Sequence, residues 1–237
     1  MVREYTQNAA DVSSDTVSAM RLITELEMEH ALIEQVLGAL RTYVRQRLEA
    51  TADRSVAARF VRFFRVFVGG YHHDREELVL FPALHREAEL PTERGPIASL
   101  LMQHHALARQ LDALASLLDG PLELAEERSA VDELARDYAH GLWRHIDAEN
   151  SVLFPESLAR LARAGVRELP ERDLTDEEGA ARADGERLVR EYPPVHDATA
   201  LRGEGCVVCP SFGTTCDGVE REWWNESEWD EFADHLG

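Results

Sequence analysis

The chain has 237 residues, of which 44% are hydrophobic and 30% charged, enough for one large soluble domain or for one domain with a sizeable appendage. Its 45 acidic and 25 basic side chains leave a formal net charge of -20, which disfavours nucleic acid and anionic membrane surfaces as partners. Every basic side chain is Arg, so a lysine nucleophile, a Schiff-base lysine and a P-loop are excluded.

The N-terminal stretch MVREYTQNAADVSSD is polar and lacks the apolar core of a secretory signal. No apolar run approaches the ~20 residues of a membrane-spanning helix. The expected compartment is the cytoplasm, and residues 1–16 are expected to form a flexible arm. Four helical patterns follow, over about 17–50, 53–89, 97–118 and 122–163, each with apolar residues at helical spacing. The breaks fall at Pro91 to Pro96 and at Gly120-Pro121. Long helices joined by short breaks predict an all-α, up-down antiparallel four-helix bundle over 17–165. Phe60, Phe63, Phe64 and Phe67 fit its core better than a cofactor box.

After Gly165 the chain becomes more acidic, and 166–237 reads as an irregular acidic extension. Thr175 with Glu178 predicts a capping box for a helix over 176–191, stopped before Pro193-Pro194. Beyond it Cys206, Cys209 and Cys216 form a C-x2-C-x6-C cluster among glycines. Three readings stand for it: one zinc held with His196 or His235 as fourth ligand, a redox C-x-x-C pair, or free thiols. Zinc is the reading carried forward, because a cation offsets part of the local negative charge. Trp223, Trp224 and Trp229 would then make a small core for the extension or its contact with the bundle, or else a surface for a protein partner.

The strongest signal is an internal repeat. Residues 72–82 read HHDREELVLFP and residues 145–155 read HIDAENSVLFP. The preceding helices match too, Glu29-His30 with Gln103-His104, each followed by leucines or isoleucine at the same offsets. Each helical hairpin thus offers one lone His and one His-x3-Glu. The four-residue spacing puts His72 and Glu76, and likewise His145 and Glu149, on one face of a helix. His30 and His104 lie on apolar stripes, so all six groups can point into the bundle axis. Two buried carboxylates among four imidazoles need compensation, which a metal provides. Four His and two Glu suit two ions, each with two imidazoles and both bridged by the carboxylates, with room for water, oxo or a small exogenous ligand. Mixed imidazole and carboxylate donors favour non-haem iron over manganese or zinc. His73 aligns with Ile146, Glu77 with Asn150 and His105 with Ala31, so these three are expected outside the donor set. His85 and His140 are expected at the surface.

An H…HxxxE…H…HxxxE order with two LFP tails resembles the hemerythrin-like, or HHE cation-binding, family over roughly residues 20–160. The resemblance implies a four-helix bundle around an oxo- or hydroxo-bridged non-haem pair of irons. Its ligands would be His30, His72, Glu76, His104, His145 and Glu149. The oxygen-carrying hemerythrins add a His on the third helix and an Asp on the fourth. Here Ala108 and Glu149 take those places, closer to the bacterial six-ligand subclass. The expected function is therefore a metal-centred reaction with, or sensing of, O2, peroxide or nitric oxide, scavenging of peroxide or nitric oxide included. The alternatives are iron sensing or storage, and a metal-dependent interaction module acting through the C-terminal tail.

Overall fold

In the computed structural model, residues 19–195 are described. Every regular element among them is helical. The first rod is helix α1, Ala19–Leu48. The second, over 54–88, begins with a 3-10 turn, Arg54–Val56, and α2, Ala57–Arg62. It continues through two π-helical stretches, Phe63–His73 and Glu76–Leu80, into α3, Phe81–Ala88. The third rod is α4, Gly95–Leu118. The fourth runs from α5, Ala125–Ala148, through a π stretch, Glu149–Leu153, to α6, Phe154–Arg163. Rods one and two, two and three, three and four, and four and one all touch, which closes the predicted bundle.

The ends follow from local chemistry. Pro96 sits in the first turn of α4, where its missing N–H would have had no helical partner, so that helix starts before the proline and not after it. Glu126 and Glu127 open α5, and Glu127 accepts from the Leu124 backbone N–H at 3.1 Å. Glu89 closes α3 in the left-handed conformation.

The π stretches were not legible in the sequence pattern, and two of them, Glu76–Leu80 and Glu149–Leu153, fall at matched places of the repeat. The Phe81 N–H reaches back five residues to the Glu76 carbonyl, and the Phe154 N–H does the same to Glu149. Pro82 and Pro155 follow and can donate nothing. The extra residue per turn lets the His-x3-Glu and the Leu-Phe of one rod face the same interior. Leu80, Phe81, Leu153 and Phe154 are all buried.

The core has two parts. The larger holds the four predicted phenylalanines with Leu37, Leu40, Tyr43 and, from α4, Leu107, Leu111, Leu114 and Leu118. The smaller, around Leu22, Leu26, Phe81 and Phe154, closes the other end. The histidines lie between them. A fifth helix, α7 (Asp176–Glu191), carries the predicted capping box: Thr175 Oγ1 accepts from the Glu178 N–H, and the Thr175 N–H donates to Glu178 at 2.8 Å. It lies against rods one and two and sends Ala181 and Leu188 into the larger core. Gly185 permits the approach, since any Cβ there would run into the Phe63 ring. No described helix is long and apolar enough to cross a membrane.

Candidate metal centre

His30, His72, Glu76, His104, His145 and Glu149 converge in the middle of the bundle, and each is at least 95% buried. His30 and His72 face each other through Nε2 at 2.9 Å. His104 and His145 do the same, also at 2.9 Å. The other nitrogen of each ring is tied outward. The Nδ1 of His72 meets Glu29 at 2.9 Å and that of His145 meets Gln103 at 2.9 Å. The Nδ1 of His30 meets Asn150 at 2.7 Å and that of His104 meets Glu77 at 2.7 Å. All four outer partners are oxygens that accept, so the ring proton sits on Nδ1 and the Nε2 lone pair points inward.

Two facing lone pairs cannot hydrogen-bond each other. They can share a cation: two nitrogens about 2.1 Å from one ion and at right angles stand about 3 Å apart. The ring centroids, 4.6 Å apart at 62° in one pair and 4.6 Å at 73° in the other, fit the same convergence.

The carboxylates complete the donor set. Glu76 lies 3.5 Å from His72 Nε2 through one oxygen and 3.5 Å from His104 Nε2 through the other. One oxygen of Glu149 lies 3.3 Å from the Nε2 of both His30 and His145. Each carboxylate therefore faces one imidazole of each pair, and none of their four oxygens has a hydrogen-bond partner. Four orphaned carboxylate oxygens at this depth would cost several kcal/mol without a cation. Burial and the neighbouring Glu149 push the Glu76 carboxyl well above the usual carboxylate range. Burial and the adjoining imidazoles hold His72 and His145 well below the usual histidine range, so both rings are neutral at neutral pH. Neutral imidazole with inward lone pairs is the metal-binding form.

The groups that orient the rings are themselves held. Glu29 accepts from the buried Arg75 guanidinium at 2.6 Å. Burial raises its carboxyl, against the pull of Arg75. The hydrogen bond from His104 holds Glu77 below the usual range. These four acceptors occupy matched places in the repeat, Glu29 with Gln103 and Glu77 with Asn150. A side-chain oxygen at both members of each pair was the signal that could have found them.

His73, expected outside the donor set, lies buried beside it. It is 8% exposed and stacks on His104 with ring centroids 3.7 Å apart. A ring nitrogen of His73 lies within 4.8 Å of donor atoms of Glu76, His104 and His145. A second such cluster joins His30, His72, Glu76 and Glu149, so Glu76 belongs to both. His85 and His105 are exposed. Cys206, Cys209, Cys216, His196 and His235 lie outside the described residues.

A helical bundle with two matched His-x3-Glu faces and two lone histidines defines a cation-binding bundle. The family model for the hemerythrin HHE cation binding domain matches residues 21–157, more than half of the chain, and the protein belongs to that family. No curated protein and no solved structure matches it.

Proposed function

We propose that the protein is a non-haem di-iron protein whose centre binds and reacts with, or senses, a small oxidant such as O2, peroxide or nitric oxide. One observation carries the reading: each of two buried carboxylates, with no hydrogen-bond partner of its own, faces one imidazole of each converging pair. His30 and His72 would hold one ion, His104 and His145 the other, and Glu76 and Glu149 would span them. A donor set of imidazole and carboxylate without thiolate suits iron. Iron held there would supply redox equivalents and open positions for a small ligand. The chain itself orients the rings through Glu29, Gln103, Glu77 and Asn150, keeps His72 and His145 neutral by burial, and excludes bulk water through the apolar clusters on either side.

Protein produced with iron should contain about two irons per chain, and its reduced form should change spectrum with O2, peroxide or nitric oxide. Zinc in stoichiometric amount without iron, or a spectrum indifferent to all three oxidants, would sink the reading. His72→Ala should lose more metal than His73→Ala, because only the first removes an Nε2 that converges with the Nε2 of a paired imidazole.

A further inference from the structure

The two halves of the centre match at every donor and at every outer acceptor. They differ beside the His-x3-Glu histidine. The first hairpin has His73, and the second has Ile146, an apolar side chain that is 1% exposed. His73 is buried as well, and its Nε2 has no hydrogen-bond partner.

Its ring does not sit as a further ligand would. The paired imidazoles converge at steep angles, whereas His73 lies parallel to His104, at 8°. A nitrogen lone pair lies in the plane of its ring. An ion in the plane of His104 is therefore a full stacking distance out of the plane of His73, and the two rings cannot share it. A partnerless polar atom remains, inside the bundle and within 4.8 Å of the donors of one half.

That half also lies against a cleft from outside. The cleft, of about 230 Å³, runs between the second and third rods, with His73 and His104 among its lining residues. Its walls are apolar, formed by Phe64, Val68, Leu107, Leu111 and Leu142. Arg65 and Asp112, an exposed ion pair, stand at its outer side. Ala108 also lines it and is too small to fill it. An apolar passage of this size admits a molecule of two or three atoms and offers no charged stop before His73.

We propose that His73 is the residue that receives a small exogenous ligand of two or three atoms, arriving by this cleft at the His104–His145 half, through a hydrogen bond from its Nε2. The half built on His30 and His72 holds such a ligand more weakly, because Ile146 offers no hydrogen bond at the matching place. The proposal rests on the di-iron reading.

Azide is the probe, and the full iron-loaded chain is the material. Wild type, His73→Leu and His73→Gln are compared for iron per chain, for azide affinity from the absorption of the bound form, and for the shift of the bound azide stretch in deuterated buffer. All three should carry the same iron. His73→Leu should bind azide about tenfold more weakly, as loss of one hydrogen bond to a charged ligand predicts, and should lose the deuterium shift. His73→Gln, which can still donate, should recover part of both. Unchanged affinity and shift in His73→Leu would overturn the proposal. So would iron lost in proportion to the substitution, which would make His73 a ligand, and so would a wild type that carries iron and binds no azide. Failure of the di-iron reading shows separately, as wild type that takes up no iron.

Discussion

Arg75 and Glu29 form a buried ion pair at 2.6 Å on the outer side of His72, and the same carboxylate accepts the His72 Nδ1 proton through its second oxygen. Arg75 is 2% exposed and also reaches Glu25 at 2.8 Å. The guanidinium thus stabilises the carboxylate that aims a candidate metal ligand. Arg75→Met keeps the bulk and removes the charge. It should destabilise the protein by about 3 kcal/mol, because Glu29 is left buried without its counter-charge. Urea unfolding of the metal-free form measures this without interference from the centre.

Asn150 tests the orienting shell without moving a charge. Its oxygen accepts from His30 at 2.7 Å. Asn150→Ala should leave the fold intact and weaken metal affinity by about tenfold or more, since outer partners of ligating histidines typically matter to that degree. Competition with a chelator of known affinity reads the change. Equal affinities would show that packing against Phe154, which stacks on His30 at 5.5 Å, orients the ring unaided.

Two glycines of α7 should respond in opposite directions. A Cβ at Gly179 meets nothing within 4 Å, so Gly179→Ala should stabilise by up to about 1 kcal/mol through helix propensity. A Cβ at Gly185 presses on the Phe63 ring, so Gly185→Ala should destabilise by about 2 kcal/mol despite the same gain in propensity. Urea midpoints of the two variants against wild type decide it. A stabilising Gly185→Ala would mean that α7 does not seat on Phe63.

Glu178 gives the pH dependence. The two hydrogen bonds from Arg172, each 2.8 Å, with those of the Thr175 cap, pull its carboxyl from 4.5 down to about 2. A carboxyl whose folded value is depressed stabilises the fold above its unfolded value and loses that contribution as pH falls toward the folded one. Glu178→Gln keeps the cap and removes the charge. The stability gap between the two proteins should be about 1 kcal/mol at pH 7, modest because Arg172 is partly exposed. It should close as pH falls from 4.5 to 2. A gap independent of pH over that range would mean that Arg172 does not hold the ionised form.

The rods and the six converging side chains were legible in the sequence for one reason: the chain states them twice. A lone His30 on an apolar stripe says little, but His30 with His104, in the same setting before the same His-x3-Glu, does not arise from packing alone. The helix over 176–191 was legible from its cap, a local feature of Thr175 and Glu178. What escaped was of two kinds. The π stretches change the chain by one residue in a turn, below what apolar spacing resolves. The burial of His73 and the seat of Gly185 on Phe63 depend on close approach between distant parts of the chain, and neither residue carries a local mark of it. Symmetry, which set His73 against Ile146, placed His73 outside the donor set but carried no information on its depth in the bundle.

The outer acceptors have a consequence for the repeat itself. Glu29 and Gln103 serve a histidine of their own hairpin, but Asn150 serves His30 and Glu77 serves His104 across the boundary. Glu76 and Glu149 reach across it as well. A single hairpin therefore carries half of the donors while lacking a partner for its lone histidine and one of the two carboxylates it needs. It is not a half-sized version of the whole. Two copies of one hairpin, related by a twofold axis, would meet every one of these needs, so the smallest self-sufficient unit of this architecture is a pair, whether joined in one chain or associated from two.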